Sequence, residues 1–398
     1  MDICLALDVA KGKSMAILIT EEGEILFGPK EFTHDVVDLE KLFTLANSKV
    51  KDYVVVMEST SVYHEQPMLF FRSKQRKVIV GNPYLISKIN VSLRRTKTDK
   101  LDCQKIALAY FRGELKDNPK TTYESTLQSQ SRLVDSISKD IAMNKTSFLS
   151  ILSRCFPSIE KYISIKTIYS PGMLHFLEKY PHPDLVKNKS VDQIYKSLKM
   201  TKYGNGQIKS LANKIANINY YTVSPSITKN DPLCHILTYR ASFLCELNKR
   251  HNEEKNYFIE LAKKSEFFNV YKSFDGIGDL LAAYFVAEIG DITRFESEKK
   301  LTAYCGLDPT IKESGKSINY KGPISKSGNR YLRKHLYQAI MMILRNDGLK
   351  KTDSEITTYY KKKRNDDKKH HYVAVIACST KLLRKFYYRA KDMIGSKN

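Results

Sequence analysis

The chain has 398 residues, 42% of them hydrophobic, with 66 Lys and Arg against 43 Asp and Glu and a formal charge of +23. That length allows two or three domains with sizeable cores, and the apolar fraction excludes a disordered tail. A cation excess this large points to a polyanion, usually nucleic acid, although a ribosome-associated or membrane-surface protein would share it. Seven cysteines without a CxxC pair or Cys/His ligand spacing read as reduced thiols, against a zinc site or a disulfide frame. The N-terminus lacks a signal-peptide layout and no apolar run nears the ~18 residues of a membrane span, so a soluble, intracellular (cytoplasmic) protein is expected.

Residues 1 to about 115 alternate strand and helix patterns. Ile3 to Leu7 is an apolar run closed by Asp8; Lys11-Gly12-Lys13 turns it back into a second run, Met15 to Ile19. Ile25-Leu26-Phe27 gives a third strand, Val36 to Ala46 an amphipathic helix, and Tyr53 to Met57 a buried strand ended by Glu58. A helix around Met68 to Arg72 and the strand Lys77 to Val80 follow, stopped by Asn82-Pro83. A hairpin and then βαβα predict a mixed sheet with flanking helices. Lys97-Thr98-Asp99-Lys100-Leu101-Asp102 leads into a helix, Cys103 to Phe111, and the spacing of three puts Asp99 and Asp102 on one helix face. Two strand-end acids and a helical acid pair are the set with which a nuclease-type site holds two Mg²⁺ ions. Each acid singly also fits a turn, a helix cap or a partner of the helix dipole.

From about 124 to 155 apolar residues recur at helical steps, Leu127, Val134, Ile137, Ile141, Phe148 and Ile151 among them, and Asn230 to about Lys264 repeats the pattern. The two stretches fit an antiparallel arm and equally two ordinary core helices. Residues 156–229 read as a smaller helical insertion. Phe274-Asp275-Gly276-Ile277-Gly278 before a helix at Leu280 to Ile289 resembles a helix-hairpin-helix, whose backbone N–H groups hold phosphate. Residues 312–334 carry Lys312, Lys316, Lys321, Lys326, Arg330, Arg333 and Lys334 against one acid, Glu313, with glycines at 315, 322 and 328. Serines in such glycine-bearing loops contact phosphate or, with an alkoxide stabilised by nearby cations or a metal, attack it. The tail, with Lys361-Lys362-Lys363-Arg364 and Lys368-Lys369-His370-His371, is a solvated face or a further nucleic-acid contact.

The two ends together resemble one family, the DEDD transposases of bacterial insertion sequences, which are recombinases guided by a bridge RNA. Leu7-Asp8-Val9-Ala10-Lys11, Met57-Glu58-Ser59-Thr60, Asn82-Pro83 and Lys97 to Asp102 match its RuvC-like domain in order and spacing. Gly276-Ile277-Gly278, Ala287 to Asp291, Cys305-Gly306-Leu307-Asp308-Pro309, Ser314-Gly315-Lys316 and Ile324 to Asn329 match its transposase domain. The resemblance implies an α/β RNase H-like (RuvC-like) domain over 1–118, a long helical coiled-coil arm with an insertion over 119–269, and a mainly α transposase domain with the basic tail over 270–398. It implies Asp8, Glu58, Asp99 and Asp102 as ligands of Mg²⁺, two ions in all. Ser314 is implied as the nucleophile of a phosphoserine link, with Ser325 and Ser327 as competitors. Lys312, Lys316, Lys326, Arg330 and Arg333 are the expected nucleic-acid contacts. Expected partners are double-stranded donor and target DNA, a guide (bridge) RNA, and further copies in a homodimer or homotetramer, because the family builds its site between protomers. The middle region is longer than the family leads one to expect, and the tail more basic. Two rivals stand beside this reading: a RuvC-like structure-selective nuclease that uses water, and a non-catalytic nucleic-acid-binding protein.

Overall fold

The structure, a computed structural model, describes residues 2–59, 62–81, 83–87, 89, 99–115, 122–157, 159–198, 204–218, 225–314 and 318–396, with the backbone alone at 84–85, 99–100, 122, 311–314 and 318–321. Thr60, Asn82, Lys97, Thr98, Gly315 and Lys316 of the expected motifs lie outside the described residues. The chain divides into two compact units, Met1–Thr121 and Thr122–Asn398.

The first unit is a five-stranded sheet in the order β3-β2-β1-β4-β5, formed by β1 (Ile3–Ala10), β2 (Lys13–Thr20), β3 (Ile25–Thr33), β4 (Val54–Glu58) and β5 (Val78–Gly81). β1, β2 and β3 run antiparallel, and β4 and β5 join β1 in parallel. Gly12, at φ 73°, closes the two-residue hairpin loop in a conformation that favours glycine. Helices α1 (Val36–Lys49), α2 (Glu65–Ser73), α3 (Pro83–Ser87) and α4 (Asp99–Phe111) complete it. Asp35 starts α1 by accepting the backbone N–H of Asp38 at 2.9 Å. The central strands are apolar on both faces because both are covered. Cys4, Ala6, Ile17, Ile19, Val56 and Ile79 pack with Cys103, Ile106 and Ala107 of α4, while Leu5, Leu7, Leu18, Val55 and Met57 pack with Leu42 of α1 and Phe71 of α2. This mixed sheet with flanking helices agrees with the expected α/β architecture and is consistent with an RNase H-like domain.

The second unit is mostly helical. Two long helices, α5 (Thr122–Cys155) and, after four shorter ones among the described residues, α10 (Pro232–Ala262), run antiparallel. Tyr123 donates to the Leu261 carbonyl at 2.9 Å at one end, and Arg240 to Asn144 Oδ1 at 2.8 Å further along. The shorter helices are α6 (Ile165–Ile168), α7 (Pro171–Lys179), α8 (Val191–Leu198) and α9 (Asn205–Ala216). They share a core with one end of the long pair, in which Phe148 and Leu237 meet Phe176 and Ile194. The other end enters a second core with α11 (Phe268–Lys272), α12 (Asp279–Ile289), α13 (Glu298–Cys305), α14 (Arg330–Lys350), α15 (Glu355–Lys361) and α16 (His371–Gly395).

One expectation needs correction here. Ser314 itself is not a loop residue but the last residue of a strand: β6 (Pro309–Ser314) pairs antiparallel with β7 (Ile318–Ile324), with Ser314 opposite Ile318. Ile311, Ile318 and Tyr320 supply the β-branched and aromatic character that the cations and glycines of this segment obscured. Gly276 has a packing reason. At Gly276, with φ 85°, a Cβ would meet the Ile343 backbone of α14 at 2.8 Å, so glycine lets the chain pass close to that helix.

Inside the second core His335 is fully buried and stacked on Tyr284, ring centroids 3.7 Å apart. Its Nδ1 meets Gln338 Oε1 at 2.9 Å, and its Nε2 lies 3.9 Å from Asp135, whose carboxylate also binds Lys334. Burial lowers its pKa from 6.5, outweighing the opposite pull of Gln338, Asp135 and Glu288. A histidine kept neutral in the fold binds fewer protons there than in the unfolded chain, so its contribution to stability is present above pH ~6.5 and is lost as the pH falls. Denaturant titrations from pH 7.5 to 5 should show stability dropping at no more than about 1.4 kcal/mol per pH unit from this group. The drop should be shallower in His335→Gln, and an identical slope in that variant refutes the assignment.

Candidate active site

Asp8 and Glu58 are brought side by side by strand register. Leu7 pairs with Met57 across the parallel β1–β4 ladder, and each acid follows one residue later. Side chains alternate faces along a strand, so Asp8 continues the row Cys4, Ala6 and Glu58 the row Val54, Val56, both on the α4 face. Both acids are half-buried. Cys103 of α4 donates to the Met15 carbonyl at 3.3 Å, and Met15 is the partner of Asp8 across the β1–β2 ladder. The helix is thereby anchored level with Asp8.

Asp99 and Asp102 lie in the first turn of that helix. Asp102 precedes Ile106 by four residues and so continues the stripe that faces the sheet, and the backbone of Asp99 opens the same helical turn. The Asp102 carboxylate is held by Lys105 at 2.8 Å, its side chain 18% exposed; the Asp99 side chain lies outside the described residues. Among the described residues no three His, Cys, Asp or Glu side chains gather into a metal-holding cluster. Neighbouring strand-end carboxylates under an acidic helix start fit a hard cation that takes oxygen ligands, and such a cation would compete with Lys105 for Asp102.

In the second unit, the motifs around residues 305 and 325 form one built loop. α13 ends at Gly306, φ 63°, in the left-handed cap glycine favours. The Lys326 N–H donates to the Gly306 carbonyl at 3.1 Å, and Ser325 donates twice to Asp308, N–H to carbonyl at 2.8 Å and hydroxyl to carboxylate at 2.9 Å. The Ser327 hydroxyl donates to the Ser325 carbonyl at 3.3 Å. At Gly328 a Cβ would meet the Tyr304 carbonyl oxygen at 2.4 Å, which fixes glycine there. Arg333 donates to the carbonyls of Cys305 and Gly328, at 2.8 and 3.0 Å, and so braces the loop from α14. Lys326 is exposed at φ 54°, and Arg330 is exposed at the start of α14, lying over the Tyr331 ring. The side chain of Ser314 and those of Lys312 and Lys316 lie outside the described residues. In the tail, Lys361 pairs with Asp353 and Lys363 with Asp367, which internally neutralises part of that basic run.

A feature the sequence did not disclose stands behind this loop. Glu288, buried at the end of apolar α12, takes both Arg132 guanidinium nitrogens and, at 2.8 Å, the Asn329 amide. The Asn329 Oδ1 in turn accepts the N–H groups of Tyr331 and Leu332 at 3.0 and 3.1 Å, capping α14. The only signal was a lone acid ending an apolar helix, which says nothing about its partner 156 residues away.

An α/β unit with two neighbouring strand-end acids, followed by a mostly helical unit that carries most of the positive charge, is consistent with an RNase H-like domain joined to a basic helical one. Comparison with known proteins narrows this. A family model for the DEDD domain of IS110-type transposases matches residues 5–157, and one described as the IS116/IS110/IS902 transposase family matches residues 269–360. An uncharacterized protein of insertion element IS116 from Streptomyces clavuligerus is 21% identical over 355 residues, 87% of this chain and 86% of its own. The transposase for insertion sequence element IS1111A of Coxiella burnetii is 36% identical over 104 residues, 25% of this chain and 28% of its own. The pilin gene-inverting protein of Moraxella bovis is 35% identical over 68 residues, 17% of this chain and 21% of its own. The chain belongs to the IS110/IS116 family of DEDD transposases, enzymes that cleave and transfer DNA strands, whose nuclease-like domains typically use divalent metal.

Asn329→Ala should destabilise the second unit by about 1–3 kcal/mol, since it removes the α14 cap and leaves the buried Glu288 carboxylate one donor short. Chemical denaturation measures this, and a loss under about 0.5 kcal/mol would mean that water replaces the amide without cost.

Proposed function

We propose that this transposase cuts and rejoins double-stranded donor and target DNA under the guidance of a bridge RNA. In this reading Asp8, Glu58, Asp99 and Asp102 hold two Mg²⁺ ions, and Ser314 attacks DNA to form a phosphoserine link. The observation that carries the metal half is the register that sets Asp8 and Glu58 side by side on the α4 face. Bound divalent metal would polarise the scissile phosphate.

Attack by the serine oxygen forms the Ser–O–P bond as a deoxyribose oxygen leaves. The enzyme-linked phosphodiester keeps the energy of the broken one, so a second DNA hydroxyl displaces serine and rejoins the strand. Lys312 and Lys316 flank Ser314 in sequence and offset charge on the transition state. Lys326, Arg330 and Arg333 hold backbone phosphates, with one qualification: two carbonyls already occupy an Arg333 nitrogen. The hydroxyls of Ser325 and Ser327 are engaged in the loop's own bonds, which favours Ser314 as nucleophile. One similar protein is named for inverting a pilin gene; inversion rejoins every end it cuts, which supports strand joining over hydrolysis. A homodimer or homotetramer belongs to the same reading.

Asp102→Asn weakens a partly buried ion pair with Lys105 to a neutral hydrogen bond, a loss on the order of 1 kcal/mol, so the fold should hold. Strand cleavage in Mg²⁺ should fall at least about tenfold to a hundredfold, the range for groups that support a bound metal. Normal cleavage would remove Asp102 from the site.

Quenching the reaction of the wild-type protein with denaturant should trap a protein–DNA adduct, and peptide mapping should place the nucleotide on Ser314. An adduct on Ser325 or Ser327 moves the nucleophile. Active cleavage with hydrolysed ends and no adduct hands the case to a water-using nuclease.

A further inference from the structure

The basic excess is uneven: residues 1–121 are nearly balanced, and almost the whole surplus of cations lies in the second unit. Within that unit, α14 has no acid before Asp347, which is buried, and α16 has none before Asp392. These two helices pack against each other through the second core, where Leu336 and Ile340 meet Val375 and Leu382. Along the outside of α14, Arg330, Lys334 and Tyr337 follow at helical spacing and are all exposed. Tyr337 meets Tyr372 of α16, ring centroids 6.3 Å apart, with 38% and 59% of their surfaces exposed. Lys368, Lys369 and His370, also exposed, lead into Tyr372, and the rings of His370 and His371 lie 5.5 and 5.3 Å from it.

Exposed aromatic rings flanked by cations are an unusual surface to leave in water, and here the Lys334 ammonium is shared with Asp135 while Arg330, Lys368 and Lys369 stand exposed. Duplex DNA hides the faces of its bases and would meet only the cations. An unpaired strand offers both phosphates to the cations and π-faces to the rings. Strand cleavage and transfer, the activity of this family, separates DNA strands and creates such a segment.

We propose that the joined α14–α16 face, centred on Tyr337 and Tyr372 and flanked by Arg330, Lys334, Lys368 and Lys369, is a platform on which bases of an unpaired DNA strand stack. The proposal rests on the reading of the chain as a DNA-cleaving enzyme. The rings are exposed, so replacing them leaves the core untouched.

The test uses the full chain without metal, with fluorescence anisotropy on a labelled single-stranded oligodeoxynucleotide, its blunt duplex and RNA of the same sequence. Tyr337→Ala with Tyr372→Ala should weaken single-stranded DNA binding roughly tenfold or more, change duplex binding less than about twofold, and affect RNA no more than DNA. Tyr337→Phe with Tyr372→Phe, which keeps both rings, should bind like wild type. Unchanged single-strand affinity, an equal loss on duplex, a larger loss on RNA, or a phenylalanine pair as weak as the alanine pair would each overturn the platform. Cleavage of duplex DNA by the wild-type protein, with Mg²⁺ and RNA transcribed from the DNA that flanks its gene, is measured alongside. An active protein that fails the binding test sinks the platform alone, whereas an inactive one sinks the reading beneath it.

Discussion

The second unit depends on one buried charge. A carboxylate taken out of water costs several kcal/mol unless its partners replace the lost hydration, and removing one partner of such a pair costs about 3–5 kcal/mol. Glu288 meets that demand with a bidentate guanidinium from α5, an amide from the start of α14, and the Ser131 hydroxyl at 3.2 Å. Three segments far apart in sequence are thereby tied to one point. Arg132 is itself laid flat on the Tyr331 ring, 3.3 Å from its centroid, so the cation is satisfied on its remaining face. Few other arrangements of α5, α12 and α14 would leave no buried charge unpaired, which gives the network a role in specifying the packing as well as stabilising it.

The first unit obeys a different constraint. Its central strands are covered on both sides, so each residue is committed to one face, and a one-residue slip would bury the acids among Leu5, Leu7 and Met57. The register that buries the apolar rows is therefore the register that places Asp8 and Glu58 together. Placing the two acids side by side costs little extra, because packing already enforces it.

This explains what could be read from the sequence. Strands with strong period-two or continuous apolar patterns, and acids at their ends, were legible because the burial rule acts locally: β1, β2, β4 and β5 lie where the pattern put them. The long helices α5 and α10 were legible for the same reason, from residues such as Val134 and Phe258. The β6–β7 hairpin was not, since its cations and glycines hid a strand that depends on cross-strand pairing. Nor were the pairings of Glu288 with Arg132 and of Asp135 with Lys334, which join residues more than a hundred positions apart. The Asp99 and Asp102 stripe was legible as a helical spacing, whereas the pairing of Asp102 with Lys105 needed the fold.

The Ser325–Asn329 motif shows how one short stretch divides its side chains between architecture and surface. Lys326 occupies a left-handed backbone conformation that costs a non-glycine residue about 1 kcal/mol. That cost is offset by the bonds its neighbours make: Ser325 to Asp308, Gly328 passing close to Tyr304, Asn329 to Glu288 and to the first N–H groups of α14. The conformation turns the Lys326 side chain out to solvent while the residues on either side hold the backbone still. A loop tied at this many points loses little entropy when an anion arrives, so the attraction of its exposed cations goes into binding rather than into ordering the chain. Arg333 illustrates the division most directly. A guanidinium that a charge count assigns to nucleic acid braces two carbonyls, and the strength of the surface that remains depends on its doing so.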